Sequence, residues 1–367
     1  MESVIGIRTE SPTPTAPQTI PVEQCPACRA RGANFFFKAI DRLHGVPGEY
    51  IYRRCRDCQT VFQDPKVISR DLMLCYPNDY YTHRRQDRAR DPNPPFALSQ
   101  RPLSRLRNRI RRAIAASVQG IPAPGAMGLL GRLLAASRML RERAFHNIVS
   151  DEFLPGKSGT LRALEVGCGN GQFLRKLQKV GWRARGVELD PDAAAEARRL
   201  SGCQILDGDF RRIKLDQGSY ELVVLSHVFE HLDDPHGSLA RIEELLSLEG
   251  RAVLIYPNPG SLGALILRER WFPWEPPRHL VLPSIRAITN LARETGLSCE
   301  ARTSARNAPA YSLWSRQLCN GEAVDFDHPV VRVKDRLFGL LERTLVRLGL
   351  EVGEEVIAVL KRRQEGA

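Results

Sequence analysis

The chain has 367 residues, 43% of them hydrophobic, and a formal charge of +12. That length supports two modest domains, or one larger domain with appendages, around a real apolar core. The charge suits an anionic partner, and the lack of any apolar run near the ~18 residues of a membrane span argues against a crossing segment.

The first residues, "MESVIGIRTESPTPTAPQTIP", lack a charged start followed by an apolar run and so do not read as a secretory signal. They predict a Pro/Thr-rich disordered tail over residues 1–22. The expected compartment is the cytoplasm. A reducing compartment makes a disulfide framework from the nine cysteines unexpected.

Two of the cysteine pairs call for a separate explanation. "CPAC" places Cys25 and Cys28 on one turn, and "CRDC" places Cys55 and Cys58 on another. Two Cys-x-x-Cys turns give four thiolates for one tetrahedral Zn²⁺, with no position left for water, so the ion would be structural. The intervening "FFFKAIDRLHGVPGEYIYRRC" predicts a β-hairpin. Residues 23–82 are thus expected to form a zinc-ribbon segment. A set of four ordinary buried thiols and a redox dithiol are the competing readings. "CYPNDYY" reads as an aromatic segment docking on the next domain, with Cys75 as core.

Residues 83–145 read as a basic helical linker or cap. Ten arginines fall between Arg84 and Arg112, opposed by only Asp87 and Asp91. Leu103, Leu106, Ile110, Ala113 and Ile114 recur at helical spacing. A second helical stretch follows "PAPG", with Leu129, Leu130, Leu133 and Leu134 on it. A solvated basic face is the favoured reading. A peripheral contact with anionic lipid, at the inner membrane face, comes second. Nucleic acid ranks last, because no binding motif accompanies the arginines.

"GTLRALEVGCGNGQFLRKLQKVGWRARGVELDPDAAAEARRL" reads strand, glycine turn, helix, strand, helix. Glycine permits positive φ and lets backbone approach a ligand without a Cβ in the way. Glu188, about twenty residues past the turn, is placed to accept hydrogen bonds from ribose hydroxyls. The Gly167-x-Gly169-x-Gly171 spacing differs from the pyrophosphate fingerprint. Glu165 stands where a pyrophosphate would be repelled and a sulfonium ligand tolerated.

On these residues the chain resembles the class I S-adenosylmethionine-dependent methyltransferases. Later segments follow in family order: "CQILDGDFRRIKL", "SYELVVLSHVFEHLDDP", "LLSLEGRAVLIYPNP" and "EEVIAVLKR". The resemblance implies an α/β fold with a Rossmann-like seven-stranded core, mostly parallel with the last strand antiparallel, over residues 146–367. A helical insertion is expected at about 306–350. The cofactor site implied comprises Glu165, Gly167, Cys168, Gly169, Gly171, Glu188, Leu189, Asp209 and Phe210, with Ser226 beside it. The zinc pairs, "YPNDYY" and "PRHL" resemble a bacterial subgroup that modifies sugars, glycolipids or specialised metabolites. Its sugar C-methyltransferases share the zinc-binding front and usually carry a further C-terminal domain; none is expected from this sequence, so C-methylation is not the favoured reading.

Methyl transfer requires an acceptor that is positioned and deprotonated. His279, in a Trp/Pro-rich segment with Trp271 and Trp274 suited to covering a substrate, is the first candidate base; His227 and His231 are the others. Glu230 and His231 resemble an acid–histidine pair of related O-methyltransferases, some of which bind a divalent metal there; His227 replaces the second acid. Tyr256 and Asn258 are expected on the acceptor side. "SCEARTSARNAPAYSLWSRQL" reads as strand six and a loop. "HPVVRVKDRLFGLLERTLVRLGL" reads as a helix whose leucines, Leu337, Leu340, Leu341, Leu345 and Leu348, pack on the core by default. The expected acceptor is a small molecule or glycolipid, methylated on a hydroxyl. Carbon or nitrogen methylation, or a non-catalytic zinc-ribbon binding protein with a degenerate core, are the alternatives.

Overall fold

The computed structural model describes residues 16–76, 106, 109–110, 113–114, 117, 125–137, 153, 161–179, 181–324, 326 and 331–363. Most of the arginine-rich stretch lies outside these residues, as do Pro77–Tyr81. The positions described at 106–117 are helical, with Ala113 and Ile114 buried.

The front of the chain is a small antiparallel sheet. Strands β2 (Ala33–Ala39) and β3 (Tyr50–Cys55) form the expected hairpin, and β4 (Val61–Gln63) pairs with β3. Ahead of them β1 (Thr19–Ile20) pairs with β5 (Lys66–Val67), so the expected tail is ordered from about this point. The reason is long-range: Asp71 and Asp64 accept from the N–H groups of Gln18 and Val22, contacts that composition does not reveal.

After helix α1 (Gly125–Ala135) the core follows strand by strand. Strand β6 (Arg162–Val166) leads to α2 (Gln172–Lys179), then β7 (Arg183–Glu188), α3 (Pro191–Ser201) and β8 (Gln204–Asp207). Strand β9 (Tyr220–Ser226), α4 (Pro235–Leu245) and β10 (Leu246–Pro257) come next. Helix α5 (Leu262–Leu267), β11 (Val281–Leu282), α6 (Ile285–Glu294) and β12 (Leu297–Ser304) follow. Helices α7 (Ala308–Cys319) and α8 (Val333–Arg347) precede β13 (Glu355–Arg362).

The seven-stranded sheet has the order β12-β13-β10-β9-β6-β7-β8. Strand β13 runs antiparallel to both neighbours, and the β10-β9-β6-β7-β8 run is parallel. Strands buried on both faces read as nearly continuous apolar runs, as Leu222–Leu225 does at 0% exposure. The chain order reverses direction at β6/β9. That switch point opens a crevice at the carboxyl ends of the strands.

Two expectations about the insertion differ from the structure. The stretch read as a loop contains α7, whose Pro309 sits in its first turn, where a missing N–H costs nothing. The leucines of α8 do not pack on the core: Leu337, Leu340, Leu341 and Leu348 are exposed. Its inward side is polar instead. In α1, likewise, the buried positions are Gly128 and Gly131, while Leu129 and Leu133 are exposed.

Candidate functional site

The glycine turn is set by backbone geometry. Gly167, Gly169 and Gly171 have φ of 66°, 51° and 78°, a region that L-residues with a Cβ adopt only under strain. A Cβ on Gly167 would lie 2.5 Å from Val228 Cγ2, across the turn. Glu188, at the tip of β7, locks the bend: one oxygen accepts from Gly169 N–H (2.7 Å), the other from Leu189 and Asp190 N–H (2.8 and 3.1 Å).

This turn borders a cavity of about 980 Å³. Gly167, Gly169, Glu188, Leu189, Asp209, Phe210 and Ser226 all line it. Three other candidates do not. Cys168 packs its sulfur towards Gly186 within the core, and Gly171 permits the close approach of Ala197. Glu165 is buried beneath the turn, with one oxygen lacking any hydrogen-bond partner. Burial, and then the nearby Glu188, push its carboxyl well above the ordinary range. Asp209 is held by Arg211, which donates 2.8 Å and 3.1 Å bonds to it. Burial would raise its pKa; those bonds bring it below the usual carboxylate value.

The opposite wall gathers the histidines. His227 has φ of 56° and sits between two carboxylates, 3.4 Å from Glu230 and 3.3 Å from Glu355. Burial alone would push its pKa down; the two carboxylates overcome that and hold it at about 10. His227 is therefore a cation at neutral pH. On Glu355 the balance runs the other way: burial would raise the carboxyl, but His227, Asn307 and Tyr311 lower it.

His279 behaves oppositely. Its Nδ1 donates to the Pro273 carbonyl (2.7 Å), so Nε2 carries the lone pair. Carboxylates of Glu275 and Glu230 lie 3.8 and 3.9 Å from Nε2. Burial, followed by the neighbouring His231, nevertheless drives its pKa well below the ordinary value, so these contacts are not salt bridges. His231 packs edge-on against it at 4.6 Å, with Nδ1 donating to the Arg278 carbonyl (3.0 Å) and 2.9 Å from the Tyr76 hydroxyl. Glu230, His231 and His279 bring one ligand atom each within 4.8 Å of the others.

Sequence reasoning missed several parts of this wall. Tyr76, Glu355 and Tyr311 were invisible as site residues, although "EE" opening the last strand was an available signal. Phe272 and Pro273 line the cavity, whereas the expected covers Trp271 and Trp274 are fully buried. Trp274 packs edge-on against Phe36 and tilted against Phe37 and Tyr52 of the front segment. Tyr256 and Asn258 also lie off the cavity wall. Asn258 clamps the carbonyls of Glu351 and Gly353 (3.0 and 2.8 Å), and Tyr256 is in the core.

The four paired cysteines converge. Cys25 and Cys58 sulfurs are 3.6 Å apart, Cys28 and Cys55 3.5 Å, and all four lie within 4.8 Å. A tetrahedral ion with Zn–S of about 2.3 Å separates its sulfurs by about 3.8 Å, so the donor set fits. The Cys25–Cys58 hydrogen bond lowers one thiol of the pair, Cys58, and raises the other.

The front segment is fused to this site. Strand β11, from the loop after His279, adds to β4, so the small sheet runs β11-β4-β3-β2. Arg278, fully buried, forks onto both oxygens of Asp41 at 2.9 Å each and reaches Glu275 at 3.0 Å. Tyr52 donates to the His279 carbonyl at 3.0 Å.

Sheet order, switch-point crevice and glycine turn together define the class I methyltransferase fold. Residues 108–301, more than half of the chain, match the methyltransferase-domain family. The chain belongs to this family, whose activity depends on S-adenosylmethionine.

Among curated relatives, an uncharacterized 37.1 kDa protein from a Streptomyces fradiae transposon is 30% identical over 129 residues. That match covers 33% of this chain and 36% of the relative, so the chain spans about a third of that protein's length. The ubiquinone biosynthesis O-methyltransferase of Maricaulis maris is 26% identical over 188 residues, covering 47% of this chain and 72% of the relative. Among solved structures, a possible histamine N-methyltransferase from Thermotoga maritima is 18% identical with a TM-score of 0.39, covering 55% of this chain and 82% of its own. A Haemonchus contortus phosphoethanolamine N-methyltransferase is 16% identical with a TM-score of 0.44, covering 91% and 69%. Among the described residues, no helix is long and apolar enough to cross a membrane.

Proposed function

We propose that this methyltransferase transfers the methyl group to a hydroxyl of a sugar, glycolipid or specialised metabolite. The observation that carries the reading is the contrast between two histidines on one wall. His227 is fixed as a cation by two carboxylates, while His279 is neutral, with its Nδ1 proton committed to a backbone carbonyl. A neutral imidazole with Nε2 free is a base towards a hydroxyl proton. The carboxylates of Glu230 and Glu275, 3.9 and 3.8 Å from Nε2, stand next to it to accommodate the charge that forms.

The other wall fits the cofactor. The bare bend at Gly167 and Gly169 leaves room that a Cβ would fill. Glu188 keeps one lone-pair position for a ribose hydroxyl after its three backbone N–H bonds, and Asp209 and Phe210 flank the nucleobase end. When bound, S-adenosylmethionine supplies a methyl group already activated on sulfur. The chain's own residues then orient the acceptor, exclude water and take its proton. Phe272, Tyr311, Trp314 and Phe326 give the acceptor side an apolar, aromatic surface suited to a sugar ring or a lipid-linked group.

In the same reading Cys25, Cys28, Cys55 and Cys58 hold a structural Zn²⁺ in a ribbon over residues 23–82. The ion contributes folding energy rather than chemistry.

His279→Ala tests the assignment of the base. Turnover with an identified acceptor is expected to fall about 10²- to 10⁴-fold, with cofactor affinity by calorimetry nearly unchanged. Near-normal turnover removes His279 from the reaction. No cofactor binding by the wild-type protein would instead favour the non-catalytic alternative.

A further inference from the structure

We propose that the outer face of α8 is a docking surface for an anionic lipid membrane. The helix is built the reverse of one that covers a core. Its inward side carries Asp335 and Glu342, at 1% and 0% exposure, with Gly339 between them. Asp335 accepts from Ser312 Oγ and Arg316 Nη2 of α7, both at 2.9 Å. Gly339 lets the helix lie on Pro309, whose Cγ a Cβ would approach to 2.5 Å.

The outward side is apolar. Val333, Leu337, Leu340, Leu341 and Leu348 are 50–73% exposed. At 3.6 residues per turn these five fall within a sector of about 100°, opposite the buried acids. One exposed aliphatic side chain is ordinary; five in one sector, four leucines and a valine, are a surface kept for a partner. Nearby, α5 leaves Leu265 and Ile266 exposed, and it is tied to the segment after α8 by Leu262 N–H on the Val352 carbonyl (2.8 Å).

Charge identifies the partner. Lys334, Arg336, Arg343 and Arg347 are all exposed and flank the apolar sector, and both acids of the helix point inward. A second copy using the same face across a two-fold axis would set cations against cations. Anionic headgroups meet those cations while the leucines enter the acyl boundary, about 5–10 Å deep. The helix would lie in the interface plane and bring the aromatic acceptor wall on α7, its packing partner, close to the bilayer.

Co-sedimentation of the full chain tests this with vesicles of phosphatidylcholine alone and vesicles containing phosphatidylglycerol. The wild-type protein should partition onto the anionic vesicles only, and release as salt rises. Arg336→Gln and Arg343→Gln should each weaken partitioning about fivefold, and Leu337→Asp with Leu341→Asp should abolish it. Cofactor binding and the unfolding midpoint, measured in the same variants, should not move; this separates the proposal from the reading of the catalytic site. Partitioning that survives the leucine substitutions overturns it, as does absence of anionic binding by wild type. So does a wild-type dimer, by light scattering, that these substitutions convert to monomer without any vesicle binding.

Discussion

The two walls of the cavity are built by opposite means. The glycine-turn wall comes from short stretches: a strand tip, a bare bend, and a carboxylate about twenty positions on that accepts from one N–H of the bend and two just after itself. The histidine wall is assembled from afar. His279 is held by Tyr52 and, through its neighbour Arg278, by Asp41, each more than two hundred residues away in sequence. A local device is encoded by spacing, whereas a device of long-range contacts is encoded by packing. The two should therefore fail differently when broken.

The largest effect belongs to the local wall. Gly167→Arg puts a side chain on a residue with φ of 66° and into Val228. Calorimetry should find no remaining cofactor binding, while zinc content, read by metal analysis, stays at the wild-type level. The second effect belongs to the assembled wall. Asp41→Ala takes the forked partner from the fully buried Arg278 guanidinium and leaves it Glu275, so the loss should reach at most that of a broken buried pair, about 3–5 kcal/mol. Denaturant unfolding measures this. The exposed Lys38–Glu49 pair is the control: Glu49→Ala should cost about 0–1 kcal/mol.

That contrast also explains what could be read from the sequence. The strand–turn–helix run around the glycine turn, Glu188 and the cysteine hairpin follow from period, spacing and turn chemistry over short stretches, whereas the seven-stranded sheet was implied by the resemblance. Trp271 and Trp274 were misread because a Trp/Pro-rich loop looks like a substrate cover, and only packing shows that the hairpin already covers it. Strand β11 has two residues, too few to show a period, and exists because β4 offers it a free edge. The leucines of α8 were assigned to the core because periodicity identifies an apolar face without saying what lies against it. The buried acids Asp335 and Glu342, at seven-residue spacing, were the visible sign that the other face is the inner one.

Smaller effects sharpen the assembled wall. Glu355→Gln removes one of the carboxylates that hold His227 charged, and its pKa should fall from about 10 towards the ordinary histidine range. Histidine resonances followed through a pH titration report this directly. An unchanged His227 titration would mean that Glu230 alone holds the charge.

A pH-dependent effect concerns the acids under α8. Glu342 and Glu354 are both buried, and burial first, then mutual repulsion, pushes the Glu342 carboxyl up; Glu354 is also raised, chiefly by burial. Glu354 accepts from Trp271 Nε1 at 2.7 Å, whereas neither Glu342 oxygen has a hydrogen-bond partner. A carboxyl raised on folding stabilises most below its unfolded pKa, and that contribution is lost as pH climbs through the folded value. Glu342→Gln keeps the shape and removes the proton. Wild-type stability should decline between about pH 6 and about pH 9 by on the order of 1–3 kcal/mol more than that of the variant. Parallel denaturant curves at the two pH values decide it. Equal slopes in wild type and variant would mean that the pair carries no proton at the lower pH, and that α8 is held through its Asp335 and Gly339 contacts to α7.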